Sequence, residues 1–248
     1  MKPNDSGEVM SFWDHLDVLR GSLMRMLAVT VAMGVVAFCL KDVLFAVVMA
    51  PGRSDFFIYQ WLGGGDFSIR FVNTGLTEQM MVHLKVAFMA GLLTASPYVL
   101  YLLFRFISPA LYERERRYSV RLTLAAYVMF IVGMAVNYFI IFPLTVRFLG
   151  TYQVSADVEN MLTISSYVDT MLSMTFLFGL MFEIPVLAWL LGRFGLLRAS
   201  WMRRYRRHAI VAILVVAAII TPTSDVFTLL IVALPIWLLF EASVFLVE

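Results

Sequence analysis

The sequence predicts an all-α membrane protein of six transmembrane helices with both termini in the cytoplasm. Hydrophobic residues occupy 61% of the 248 positions and charged residues 15%, against roughly half and roughly a quarter in an ordinary soluble domain. The apolar residues form uninterrupted runs of membrane length, separated by short charged stretches, which is typical of a polytopic membrane protein. We therefore expect a single membrane domain over residues 1–248, with a cytoplasmic segment at 1–21 and a bundle at 22–247.

The polar start of the chain is predicted to contain a short helix on the membrane surface. Ser11, followed by Asp14 three residues later, resembles a helix-capping pattern. The chain is then nearly all apolar from Ser22 to Leu40, and about 20 such residues cross roughly 30 Å of hydrocarbon. Because this run is longer than the core of a signal peptide and lacks a small-residue cleavage site, it is predicted to be the first span.

Three further runs of sufficient length follow, at 83–107, 122–144 and 167–191. The long segment at 51–82 is predicted to be an ordered cap or an interfacial structure on the outer side. The last two runs, 209–220 and 226–247, are separated by a tight turn that contains Pro222 and Asp225. The fifth run is too short for a normal bilayer, so the residues alone leave two alternatives: half of a re-entrant hairpin, or a span that thins the membrane.

Arginine distribution predicts the orientation, since Lys and Arg are retained on the cytoplasmic side. The loops after the second and fourth runs are rich in arginine, whereas the opposite loops carry only Arg53, Arg70 and Arg147. With six crossings, both termini are then cytoplasmic. The arginines of the two rich loops are Arg105, Arg114, Arg116, Arg117, Arg121, Arg193, Arg198, Arg203, Arg204, Arg206 and Arg207.

Several function classes are disfavoured by the sequence. Cys39 is the only cysteine, so no disulfide within the chain and no thiolate metal site is expected. A net charge of +2 is too small to suggest a nucleic-acid partner. There is no Walker-type glycine loop, no His-Glu-x-x-His motif and no serine beside a candidate base. We therefore expect no catalytic residues, no metal and no cofactor, and a protein that is not an enzyme.

Glu183 is the most informative single residue, because a carboxylate inside a span costs several kcal/mol unless it is protonated, paired or hydrated. Gly179 and Thr175 share its helix face and would let another backbone or water approach. Pro185 supplies no amide to the carbonyl of Met181, which predicts a weak or kinked turn beside the acid. A functional polar site is favoured over the alternative, a neutral carboxyl hydrogen-bonded to a neighbouring helix.

Prolines recur inside or at the ends of the predicted spans. They bend helices and free backbone carbonyls that neighbouring groups must satisfy. A curved bundle is therefore expected. These residues are Pro51, Pro97, Pro109, Pro143, Pro185, Pro222 and Pro235.

The loop after the second run contains two carboxylates, Glu113 and Glu115, which alternate with arginines. Taken alone, this pattern favours a solvated loop whose charges compensate one another. The alternative is a site for a cationic ligand, since a guanidinium can make two parallel hydrogen bonds to one carboxylate. Asp14 and Asp17 face the same compartment and would complete an acidic patch.

Five motifs in sequence order carry a resemblance to a known family. They are FWDHLDVLR at 12–20, FISPALYERERR at 106–117, YFIIFP at 138–143, FGLMFEIP at 178–185 and TPTSDVF at 221–227. On these motifs the chain resembles the TatC family, the core of the twin-arginine protein translocase. Two positions depart from the family pattern: Val18 stands where an acid is usual, and Leu102 stands where a glutamine is usual.

The resemblance implies a glove-shaped bundle of six helices whose fifth and sixth are short, so that the fifth run is a true span. It implies that Glu115 pairs with the twin arginines of a signal peptide, that Phe106 lines the same site, and that Arg20 lies nearby. Asp17 and Glu113 belong to the same candidate site. Glu183, with Thr175 and Gly179, would correspond to a polar surface near partner helices.

The resemblance also implies the partners and the location. The partners are precursor proteins with twin-arginine signal peptides, single-span subunits of the TatA and TatB type, and further copies of the chain. The chain would lie in the plasma (inner) membrane of a bacterium and use the proton-motive force to export folded proteins. The main alternative is a six-span secondary transporter or channel, which would predict paired broken helices and several acids near the midplane.

Overall fold

The computed structural model describes residues 12–61, 70–107, 116–152, 155, 161–221 and 225–248. The helices are α1 (Phe12–Phe38), α2 (Lys41–Met49), α3 (Phe57–Trp61), α4 (Glu78–Ile107), α5 (Arg116–Val136), α6 (Phe142–Thr151), α7 (Ile164–Met181), α8 (Ile184–Arg193), α9 (Ala199–Arg204), α10 (Arg206–Ile220) and α11 (Val226–Val247). Two short strands are present, β1 (Arg70–Val72) and β2 (Met161–Thr163).

The predicted all-α membrane bundle is confirmed. Among the described residues, five helical segments are long and apolar enough to cross a membrane, namely Leu16–Phe38, Glu78–Leu103, Leu122–Thr151, Ile164–Arg193 and Val226–Val247. The remaining predicted span is α10, whose 15 residues extend roughly 22 Å. With 15 and 22 residues, α10 and α11 are the shortest of the six.

The first helix differs from the prediction at its start. A surface helix was expected to end before a span beginning at Ser22, whereas α1 runs unbroken from Phe12 to Phe38. Gly21 does not interrupt it, because a glycine in a helix interior costs only about 1 kcal/mol relative to alanine. No helix therefore ends at the predicted boundary between segment 1–21 and the bundle, because α1 continues across it.

α1 packs along α4, and the two helices approach most closely at a pair of glycines. A Cβ atom added to Gly91 would overlap the backbone nitrogen of Gly34 and would lie 2.7 Å from the carbonyl oxygen of Thr30. Small residues allow such close approach of helix backbones in membranes. Further along, the rings of Phe38 and His83 stack at 4.0 Å. The pairing is antiparallel, so the N-terminal end of α1 lies beside the C-terminal end of α4.

The third and fourth spans are each interrupted. A π-helical turn, Asn137–Ile141, separates α5 from α6. The fourth span breaks between Met181 and Ile184, where Pro185 in the first turn of α8 has no amide to continue the ladder. Proline does not always have this effect, since Pro97 lies inside α4. There the hydroxyl of Ser96 donates to the carbonyl of Leu93 at 2.6 Å, which is the carbonyl that Pro97 leaves without an amide.

The two strands of the outer cap were not predicted. β1 and β2 form a parallel pair in which Phe71 is opposite Leu162. Each strand has three residues, too few for a period-two pattern to stand out in a sequence. The strands join the start of α4 to the start of α7, so the cap links the second and fourth spans.

Three tyrosine hydroxyls fix the cap to the C-terminal end of α2. The last carbonyls of a helix have no partner within the helix and need other donors. For α2 the donors come from the π-helical turn and from α7, and the hydroxyl from α3 bonds the 3₁₀ turn Ala50–Gly52 that follows α2. The bonds are Tyr138 to the carbonyl of Val47 at 2.8 Å, Tyr167 to that of Val48 at 3.0 Å, and Tyr59 to those of Pro51 at 2.6 Å and Pro143 at 3.1 Å.

We predict that Tyr59→Phe lowers the free energy of unfolding by about 1–3 kcal/mol, because the buried carbonyl of Pro51 loses its donor. Burial raises the pKa of Tyr59, so the phenol remains a neutral donor. Because unfolded tyrosine ionises near about pH 10, this contribution decreases as the pH rises above about 10. Thermal unfolding in detergent measures the change. The control is Tyr101→Phe, since Tyr101 is exposed; equal effects of the two substitutions would contradict the prediction.

Candidate functional site

The first candidate site lies where the second span ends. α4 ends at Ile107 and α5 begins at Arg116. Glu113, Glu115 and Pro109 fall in the intervening connection, outside the described residues, as does the side chain of Phe106. Pro222, in the turn before α11, is also outside them.

The N-terminal end of α1 supplies the described part of this site. Asp17 and Arg20 are exposed and lie three residues apart, which places them on one helix face. The antiparallel packing of α1 on α4 brings this end of α1 beside the end of α4 that leads into the connection 108–115. Val18 is exposed beside them, whereas Leu102 is buried, with 3% of its surface accessible.

The second candidate site is the buried acid of the fourth span. Glu183 lies at the break between α7 and α8 and is only 6% exposed. Its backbone carbonyl accepts the amide of Leu187 at 2.9 Å. Neither carboxylate oxygen has a hydrogen-bond partner among the described residues. Among the described residues, the Glu183 carboxyl is therefore not hydrogen-bonded to a neighbouring helix, which was the alternative to a functional site.

The residues that share a face with Glu183 contact α5 and the π-helical turn. The side-chain amide of Asn137 donates to the hydroxyl of Thr175 at 3.0 Å. A Cβ atom added to Gly179 would lie 2.6 Å from the ring of Phe130, so an aromatic ring occupies the space that was expected for a backbone or water. Thr175, Gly179 and Glu183 are all buried, and their common face is not a free surface in the isolated chain.

Sequence reasoning missed a polar connection between α4 and α7. The ammonium of Lys85 lies 2.7 and 2.8 Å from the two carboxylate oxygens of Asp169. About two turns of α4 closer to the cap, the carboxylate of Glu78 accepts the amides of Gly75 at 3.0 Å and Ser165 at 3.1 Å. The available signal was a charged residue inside each apolar run, but the sequence does not indicate that the two runs are neighbours.

Two structural residues suggested by the sequence occupy defined positions. The carbonyl of Pro51 is the close acceptor of Tyr59 in the cap. Asp225 precedes α11, and its carboxylate accepts the amide of Thr228 at 2.7 Å, which is the geometry of a helix N-cap. Within the described ranges, no group of three or more His, Cys, Asp or Glu residues is arranged to hold a metal ion.

The fold and these sites define a polytopic helical membrane protein with an exposed charged end and, among the described residues, one buried acid whose carboxylate oxygens have no hydrogen-bond partner. The family profile described as Sec-independent protein translocase protein (TatC) matches residues 14–235. The chain is 34% identical to the protein of that name from Koribacter versatilis, over 95% of this chain and 84% of the relative. It is 33% identical to that of Azotobacter chroococcum, over 97% of this chain and 90% of the relative.

Solved structures agree with the sequence relatives. Two crystal structures of a twin arginine translocase receptor, TatC, are 29% identical to this chain, with TM-scores of 0.79 and 0.81. Each covers 94% of this chain, and the match extends over 97% and 99% of those structures. The chain belongs to the TatC family. The identification from the five motifs is confirmed, and the transporter or channel alternative is not retained.

Proposed function

We propose that this chain is the signal-peptide receptor and core subunit of a Sec-independent translocase that exports folded precursor proteins with the proton-motive force. The observation that carries the proposal is the family match, which extends over nearly the whole bundle, residues 14–235. The agreement of the fold with the two TatC receptor structures supports it. The subunit itself would bind and position the precursor, with no covalent chemistry.

The proposed receptor site is the connection between α4 and α5 together with the start of α1. Glu115 pairs with the twin arginines, and Glu113 and Asp17 add negative charge around them. Phe106 lines the site and Arg20 borders it. Arginine is preferred over lysine because only the planar guanidinium makes two parallel bonds to one carboxylate. The position of Asp17 and Arg20 beside the end of α4 supports this grouping.

We place this site, both termini and the connection from α8 to α10 in the cytoplasm, in the inner membrane of a bacterium. The arginine content of the two connections supports the orientation, since Lys and Arg are retained inside. Glu183 would contact partner helices of single-span TatA- and TatB-type subunits, or of a further copy of the chain, once the side chains that bury it in the isolated chain move aside. Its buried carboxyl without a hydrogen-bond partner among the described residues supports that role.

The test compares binding of a signal peptide with Arg-Arg and of its Lys-Lys variant to the purified protein. We expect Glu115→Gln to weaken Arg-Arg binding by about 10–100-fold, because a hydrogen bond to a charged group contributes about 1.5–3 kcal/mol. Lys-Lys binding should change little. Asp42→Asn is the control, since Asp42 is an exposed acid at the other end of the first span. Equal binding of both peptides to the wild-type protein would refute the receptor proposal.

A further inference from the structure

A strongly basic connection joins the fourth span to the fifth. Residues 193–207, here called the basic connection, contain six arginines and no acidic residue. It comprises the end of α8, the short helix α9 and the first residues of α10. Arg198, Arg204 and Arg207 are exposed. The positive charge is therefore presented at the surface of the molecule.

Within the part of the chain that the structure describes, ion pairs neutralise only some of this charge. Arg206 donates to the carboxylate of Glu241 at 2.6 Å, and Arg203 pairs with Glu248. These two ion pairs tie the basic connection to the C-terminal end of α11. Among the described residues, Arg204 and Arg207 have no acidic partner. These two guanidinium groups are therefore available to bind an anion from outside the chain.

Aromatic side chains place the basic connection at the membrane surface. Trp201 and Tyr205 are each 54% exposed and alternate with the arginines along the chain. Arg198 lies over the ring of Trp201 at 5.9 Å, and Arg193 over that of Trp189 at 5.5 Å. Tryptophan and tyrosine favour the level of the lipid headgroups, where their apolar rings and polar edges are both accommodated.

The length of α10 brings lipid phosphates towards these arginines. After His208 its apolar part comprises residues 209–220, which extend roughly 18 Å against roughly 30 Å of hydrocarbon in a typical bilayer. A short span is accommodated by local thinning of the bilayer. The headgroups then lie at the depth of Arg206 and Arg207, the first two residues of α10. This helix has no side-chain cap, so the amides of its first turn also favour an anion.

We propose that the basic connection is a binding surface for anionic phospholipids, which it recognises by their phosphate headgroups. Arg204 and Arg207 bind the phosphate oxygens, Trp201 and Tyr205 pack among the glycerol and upper acyl regions, and the pairs with Glu241 and Glu248 hold α9 and α10 in place. Guanidinium groups suit this ligand because they can bind phosphate oxygens in pairs. The inference concerns lipid binding and is independent of the proposed receptor role.

The experiment uses the full chain in nanodiscs of phosphatidylcholine that contain spin-labelled phosphatidylglycerol or spin-labelled phosphatidylcholine. The preference of the protein boundary for phosphatidylglycerol is measured for the wild type, for Arg204→Gln with Arg207→Gln, and for Arg53→Gln with Arg70→Gln. Each basic residue near an anionic surface contributes about a fivefold preference, so the first pair of substitutions should lower it by about 25-fold. The second pair removes the same charge outside the basic connection and should leave the preference near its wild-type value.

Several outcomes would overturn the proposal. The first is that the wild type shows no preference for phosphatidylglycerol, and the second is that both double variants lose this preference equally. The third is that the preference disappears when inorganic phosphate replaces chloride at equal ionic strength, which would identify a site for free phosphate. Loss of precursor binding in a protein without any lipid preference would identify a protein-binding surface instead. If the variants fail to fold, a salt titration of the wild-type protein tests the proposal instead. Its preference for phosphatidylglycerol should decrease between about 0.05 M and about 0.5 M NaCl. A preference that stays constant would refute the proposal.

Discussion

Gly91→Ala is expected to cost about 3 kcal/mol of folding free energy, because the added methyl group enters the backbone of α1. A Cβ atom at Gly91 would lie 2.5 Å from the Cα atom of Gly34 and 2.7 Å from the carbonyl oxygen of Thr30. These are backbone atoms of a long helix and cannot rotate away as a side chain would. For a chain of this size, the loss corresponds to a decrease of roughly 6–12 °C in the Tm.

Two alanine substitutions in α1 provide matched controls for Gly91→Ala. A Cβ atom at Gly21 would have no atom within 4 Å, and one at Gly34 would make only ordinary contacts, at 3.6 Å or more, with α4. Both variants should unfold near the wild-type temperature. Signal-peptide binding should also weaken in Gly91→Ala alone, because α1 carries Asp17 and Arg20 to the end of α4. If Gly91→Ala were as stable as Gly21→Ala, this result would contradict the close approach of the α1 and α4 backbones at Gly91.

Glu183→Leu is expected to stabilise the isolated chain by about 1–3 kcal/mol, which is the cost of a buried polar group without a partner. Leucine has a similar size, and the site is 6% exposed, so the substitution replaces an unsatisfied carboxyl with a group that suits the surroundings. The same change should reduce co-purification of single-span partner subunits. A polar group retained at a cost in stability is typical of a functional site.

The control for Glu183→Leu is Glu241→Leu. Glu241 pairs with Arg206 near the surface, and removal of such a pair should cost at most about 1 kcal/mol. The two substitutions should therefore change the Tm in opposite directions. A strong destabilisation by Glu183→Leu would contradict the account, because it would mean that the carboxyl has a stabilising partner.

The sequence predicted the spans because membrane insertion depends on the length and polarity of runs, which a sequence states directly. It did not predict where helices begin and break inside those runs. Ser22 marked a change of polarity, but α1 continues through it because the hydrogen bonds of a helix do not stop at the edge of the bilayer. The π-helical turn at Asn137–Ile141 lies in an apolar run whose composition resembles that of an ordinary helix. β1 and β2 exist only because two loops 91 residues apart lie side by side in the cap.

The candidate sites were predictable to different extents. Glu183 stood out as an acid in a span, but whether its carboxyl has a partner among the described residues depends on which groups pack around it. Thr175 was expected to face an approaching backbone or water, and its partner, Asn137, comes from an interruption of the third span that the sequence did not indicate. The pair of Lys85 and Asp169 joins residues 84 positions apart, which no local pattern can reveal.

The central claim is that a twin-arginine signal peptide binds where the start of α1 meets the end of α4. Photo-crosslinking in membranes tests this most directly, with a peptide that carries a photoreactive residue next to its two arginines. Adducts are expected within residues 12–20 and 104–117, with a much lower yield for the Lys-Lys peptide. Adducts elsewhere in the bundle, or equal yields for the two peptides, would contradict it.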